Sequence, residues 1–93
     1  MNIVKIDFKN VKTNADFYEQ LKTQINLPEY FGDNLDALYD VLTGYIELPA
    51  CFELENVDWE QTENLQELFA TLDDAEIDTD SAFMYICEFV ENE

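Results

Sequence analysis

Arginine and histidine are absent from this chain of 93 residues. No thiolate can therefore be activated by a neighbouring imidazole or guanidinium. Histidine-based nucleophile–base pairs and mixed His/Cys metal sets are equally excluded. Gly32 and Gly44 are the only glycines, so there is no Gly-rich loop to cradle a phosphate. Glycine and proline are scarce while apolar residues make up 47% of the chain, which is not the composition of a disordered segment. No apolar run approaches the ~20 residues that a membrane-spanning helix needs. The N-terminal MNIVKIDF is too short and too charged for a signal peptide, so a cytoplasmic protein is expected. Only two cysteines occur, Cys51 and Cys87. Both sit in apolar, strand-like runs and read as buried free thiols; a disulfide would require adjacent strands and an oxidising compartment.

What is present is acid. The formal net charge is −18, with 22 Asp and Glu against four lysines. Lys5, Lys9, Lys12 and Lys22 all lie near the N-terminus, and no cation occurs from Thr23 to Glu93. Most carboxylates therefore have no internal cation to pair with. A strongly negative field should surround the protein, repel nucleic acid and anionic membranes, and attract a basic protein. Ninety-three residues make one domain, 1–93, able to bury roughly 60–65% of its unfolded surface.

Hydrophobic periodicity orders the elements. Val4, Ile6 and Phe8 alternate with Lys5 and Asp7, as in a half-buried first strand. Thr13 and Asp16 have capping-box spacing, and Phe17, Leu21 and Ile25 follow at four-residue intervals, predicting a helix over 14–25. Pro28 and Gly32 mark a turn, after which Asp33 or Asn34 caps a second helix over 34–43, closed by Gly44. Cys51 to Leu54 reads as a second strand and Asn56 to Gln61 as a short third helix. Thr62 is the expected cap of a fourth helix carrying Leu65, Leu68, Phe69 and Leu72. Asp73 to Asp80 reads as an acidic loop, and Phe83 to Val90 as a buried third strand. The expected class is α/β: strands separated by helices, hence parallel pairing through crossovers.

Within this frame, Leu27 to Glu47 stands out. At about 100° per residue, Asp36, Tyr39, Asp40 and Thr43 share one quarter of the second helix, opposite Leu35, Leu38, Val41 and Leu42. Asp36 and Asp40 are four residues apart, where like charges cost roughly 0.2–0.5 kcal/mol. Asp36 gains from the positive end of the helix dipole; Asp40, a turn further in, gains little. A cationic partner would account for Asp40.

The run Leu27-Pro28-Glu29-Tyr30-Phe31-Gly32-Asp33-Asn34-Leu35-Asp36-Ala37-Leu38-Tyr39-Asp40, followed by Leu42-Thr43-Gly44, closely resembles the barstar family of intracellular ribonuclease inhibitors. The resemblance is concentrated in about residues 27–49, and the order of elements agrees along the whole chain. It implies a small three-stranded parallel sheet, order 1-2-3, flanked by three to four helices. It further implies a non-enzymatic protein, without cofactor or metal, that plugs a basic ribonuclease or ribonuclease toxin in a 1:1 complex. Carried over by position, it points to Tyr30, Gly32, Asn34, Leu35, Asp36, Asp40, Thr43 and Gly44 as partner contacts. Tyr39 and Tyr45 stand where the best-known member carries tryptophans, and Glu47 closes the matched segment. The family also uses a glutamate on its last helix. Counted from Phe69, this chain has Thr71 there, with Asp73 and Asp74 two and three residues on, and the contact stays unassigned.

Three other readings bear on the same acidity. The acidity alone would suit a nucleic-acid mimic that occupies a basic protein's DNA or RNA site. A calcium loop starting at Asp74 fails, because the sixth position is Thr79 rather than Gly and the twelfth is Tyr85 rather than Glu. Composition leaves paired carboxylates for glycoside chemistry open, but so short a chain carries no sign of a deep pocket. The charge imbalance makes a direct prediction. About 0.5 M NaCl should raise the melting temperature of the isolated protein by screening self-repulsion. A melting temperature that falls with salt would contradict it.

Overall fold

The computed structural model describes residues 1–29 and 31–90. Strand β1 (Asn2–Asp7) leads through a 3-10 turn to helix α1 (Asn14–Gln24). A loop then reaches α2 (Leu35–Asp40), which passes into a wide turn, Val41–Tyr45. Strand β2 (Ala50–Val57), helices α3 (Trp59–Asn64) and α4 (Gln66–Asp78) and strand β3 (Phe83–Phe89) complete the chain. The three strands form one parallel sheet in the order β1-β2-β3. The expected class and strand order both hold.

Local chemistry explains the principal boundaries. Thr13 and Asp16 form the predicted capping box at the start of α1. Asp58 and Gln61 form a second one at α3, where the Gln61 amide also donates to the carbonyls of Phe8 at 2.6 Å and Val11 at 2.8 Å. These bonds pin α3 to the turn after β1. Thr62 is therefore not a cap: it lies inside α3 and donates its hydroxyl to the Trp59 carbonyl. The break falls at Leu65, whose φ of −115° and ψ of 37° interrupt the two helices.

The acidic stretch expected as a loop is mostly helix. α4 runs to Asp78, because Leu68, Leu72 and Ala75 keep an apolar stripe turned to the core. The third strand also differs from expectation. It is not buried throughout: Phe83 is enclosed, but Ile86 is 47% exposed. Right-handed crossovers between strands in sequential order carry the connecting helices to one face of the sheet. Register aligns Ile3, Cys51 and Met84, then Lys5, Glu53 and Ile86. Ile3 and Ile86 are both about half exposed (49% and 47%), as residues of the uncovered face should be. Cys51 is buried and Cys87 half-buried, and both thiols are free.

The core lies on the other face. Phe8, Phe17, Phe52, Phe83, Leu21, Leu38 and Leu72 are fully enclosed, and no polar side chain is buried among the described residues. Phe52 and Phe83 meet edge to face at 5.0 Å between ring centres, a preferred aromatic geometry. None of the described helices is long and apolar enough to cross a membrane.

The outer edge of β1 is closed by side chains from α1. The Gln20 amide accepts from the Asp7 N–H at 2.9 Å and donates to its carbonyl at 2.6 Å. One turn on, Gln24 makes the same pair of bonds with Lys5. Two glutamines at i and i+4 thus imitate a neighbouring strand and block edge-to-edge pairing. Gln20→Ala should cost about 1–3 kcal/mol in urea unfolding, because it strands two partly buried backbone groups. A loss below about 0.5 kcal/mol would show that water replaces the amide there.

Candidate functional site

The loop before α2 and the helix itself are each fastened to the body. Phe31 packs edge-on against Tyr18 of α1, with ring centres 5.6 Å apart, and its N–H donates to the Pro28 carbonyl at 2.9 Å. Asp33 adopts a left-handed φ of 50° and pairs with Lys22 at 2.9 Å. Lys22 also reaches Glu19 at 3.5 Å, so both ion pairs found among the described residues belong to this one lysine. Asn34 caps α2 by accepting from the Ala37 N–H at 2.8 Å, and its amide donates to the Gly32 carbonyl at 3.3 Å. A Cβ on Gly32 would lie 2.9 Å from the Asn34 amide nitrogen, so the missing side chain leaves room for the cap.

The helix ends unexpectedly. Gly44 does not act as a left-handed cap, since no described glycine has positive φ. Instead α2 widens into a π-type turn whose last bond runs from the Ile46 N–H to the Val41 carbonyl at 3.0 Å. Such turns satisfy the terminal carbonyls without a left-handed residue. Gly44 then leaves open space, with nothing within 4 Å of where its Cβ would stand.

Between loop and helix lies an open groove of about 440 Å³. Pro28, Phe31 and Val41 give it apolar lining; Gly32, Asn34, Asp36, Asp40, Gly44 and Tyr45 complete its walls. Asp36 and Asp40 are both exposed, and neither accepts a hydrogen bond or ion pair from any described residue. Tyr45 stands at the groove 48% exposed, with its ring available.

Six of the expected contact residues are thus brought together: Gly32, Asn34, Asp36, Asp40, Gly44 and Tyr45. The others are placed differently. Leu35 is half-buried against the core. Tyr39 and Thr43, expected on the outer stripe, are both half-buried. The Tyr39 ring packs on the core and its hydroxyl donates to Asp78 of α4, while Thr43 donates to the Tyr39 carbonyl at 2.8 Å. The apolar body of Tyr39 favours contact with the core, and a carboxylate at the end of α4 meets its hydroxyl. Glu47 is exposed beyond the groove, and its carbonyl accepts from the Asn2 amide at 3.0 Å. Tyr30 lies outside the described residues. Asp74, left unassigned from sequence, and Asp78, missed there, are brought beside Tyr39 by α4. Their i, i+4 spacing, on the flank of the stripe that Leu68 and Leu72 begin, was the available signal.

A larger hollow of about 650 Å³ opens near Lys9 and Lys12, by the carboxyl ends of the strands. Two of its amides and Asp58 are engaged internally: Gln61 on Phe8 and Val11, Asn56 on Asp7, and Asp58 on the Glu60 N–H. The groove beside α2, with its carboxylates unengaged, is the better candidate. No group of three or more His, Cys, Asp or Glu among the described residues could hold a metal ion.

These features define a small α/β protein with an acidic helix–loop groove whose carboxylates are unpaired among the described residues. Residues 1–88 match the family described as "Barstar (barnase inhibitor)", and the chain belongs to that family. A protein of Bacillus subtilis (strain 168) named "Putative ribonuclease inhibitor YrdF" is 39% identical over 56 residues. That match spans 60% of this chain and 58% of the relative.

The phenols beside the site titrate late. A hydrogen bond to Asp78 raises the ionisation of Tyr39, burial raises that of Tyr18, and burial followed by the bond to Asp73 raises that of Tyr85. A folded-state pKa above the unfolded value means stability that is complete below about pH 10 and is lost as pH rises through the folded values. Phenolate absorbance should therefore show Tyr18, Tyr39 and Tyr85 ionising late, with unfolding setting in alkali. Tyr39→Phe should remove one late-titrating group; an unchanged late amplitude would contradict the assignment.

Proposed function

We propose that this protein inhibits a barnase-type ribonuclease or ribonuclease toxin by covering its cationic active site with α2 and the preceding loop. The observation that carries the reading is the groove with Asp36 and Asp40 on its wall and no internal cation to pair with either. Family membership and the similarity to a protein named as a ribonuclease inhibitor support it.

A ribonuclease must bind RNA phosphates, so its cleft presents basic side chains. Asp40, held rigidly on a helix, takes the place of a phosphate and accepts several charge-assisted hydrogen bonds. Asp36, a turn earlier, meets a second cation at the cleft rim. Open space at Gly44 lets the enzyme's backbone or a flat ring come close. Tyr45 supplies apolar area and a hydroxyl, and Tyr30 does the same from the loop. The complex is non-covalent, 1:1 and competitive with RNA. A standard interface of roughly 1,600 Å² suffices for it.

The test is RNA cleavage by barnase, titrated with the parent protein and with Asp40→Ala. Stoichiometric inhibition is expected, weakened about a hundredfold or more in the variant, as for residues that dominate an interface. The fold should survive, because Asp40 lies off the apolar stripe. An Asp40→Ala variant that inhibits as well as the parent would refute its role. Graded, equal losses on neutralising carboxylates anywhere on the surface would favour a nucleic-acid mimic instead.

A further inference from the structure

We infer that the Tyr39–Asp78 hydrogen bond is the tether that sets the position of the acidic α2 face, with both residues acting as positioning residues. The inference rests on the inhibitor reading for its consequence but on separate observations for its existence.

α2 is only six residues long and runs straight into a wide turn, so it cannot hold its direction through its own hydrogen bonds. Leu35, Leu38, Leu42 and the Tyr39 ring anchor its inner side to the core, but none of these apolar contacts carries a directional bond to a neighbouring helix. The Tyr39 hydroxyl, donating to Asp78, supplies a directional link from α2 to α4. The Thr43 hydroxyl ties the following turn to the Tyr39 carbonyl. Asp40 is the next residue along, so a rotation that frees Tyr39 swings Asp40 as well.

Asp78 has no favourable local reason for its place. It is the last residue of α4, where the helix dipole disfavours an anion, and no basic residue lies in that last turn. Asp74 stands one turn before it, a like charge at i, i+4. Asp78 accepts a side-chain hydrogen bond only from Tyr39 among the described residues. A phenylalanine at position 39 could fill the same space, so the hydroxyl is what the link requires.

Two measurements on the full chain test this. The first needs no partner: amide hydrogen exchange of Leu38 to Val41, referenced to β2. Tyr39→Phe and Asp78→Ala should each speed exchange there about tenfold relative to β2, while Asp78→Asn, which still accepts from the phenol, should not. Unchanged relative exchange in Tyr39→Phe would overturn the tether. The second is a double-mutant cycle for barnase binding. Tyr39→Phe should shrink the penalty of Asp40→Ala, because a misplaced carboxylate has less to lose. Asp78→Asn should bind within about twofold of the parent and Asp78→Ala about tenfold more weakly. An Asp78→Asn variant as weak as Asp78→Ala would instead make Asp78 a direct partner contact. If the parent fails to bind barnase, the inhibitor reading falls, and hydrogen exchange still decides the tether.

Discussion

The constraint on which this structure turns is that its carboxylates must be accommodated almost without cations. Beyond Lys22, the chain answers with neutral donors. Backbone N–H groups serve Asp16, Asp58 and Glu76. The Asn56 amide serves Asp7, and phenols serve Asp73 and Asp78. A neutral donor satisfies a carboxylate's lone pairs without cancelling its charge. Local geometry is thereby fixed while the negative field persists. Two of these phenol bonds flank α4, one from β3 and one from α2, so the acidic helix is clamped by the groups that leave it charged.

The site follows from the same logic. Lys22 is engaged at Asp33, in the loop before α2 but outside the groove lining, and leaves the helix wall alone. Asp36 and Asp40 stand unpaired among the described residues, on a surface whose backbone is already ordered by a cap, a π-type turn and two side-chain links. Preorganisation of this kind removes part of the ordering cost that binding would otherwise carry. The wide turn also has a functional reading: by ending α2 without a left-handed cap, it leaves Gly44 bare beside Asp40.

Much of this was legible in the sequence because it depends on short-range patterns. The β1 alternation, the Thr13–Asp16 box and the Leu27–Gly44 motif each announce themselves within a few residues. The misreadings share a different cause. Asp73 to Asp78 looked like loop because its polar residues outnumber the apolar ones. The buried member of its stripe is Ala75, too small to register as hydrophobic periodicity. Phe83 to Val90 looked like a buried strand because continuous apolar runs usually are; the exposure of Ile86 comes from the uncovered face of the sheet. Tyr39 looked like surface on a helical wheel that carried no knowledge of where α4 would pass. The π-type turn has no local signature that a helical wheel detects.

Sheet order and charge finally bear on one another. A sequential parallel sheet covered on one face makes a thin body, and the helices that cover it stand at the surface with one side free. In a protein with balanced charge that free side would be an ordinary solvated face. Here the motif places its carboxylates on that side, in a chain with no cation from Thr23 onward. The isolated fold therefore bears a repulsion that a basic partner relieves. Relief is greatest where the carboxylates are held most rigidly, because a mobile side chain would already have moved away from its neighbours. On this argument the tethers around α2 do two things at once. They hold the repulsion in place, and they concentrate the gain from a cationic partner on the groove rather than spreading it over the whole surface.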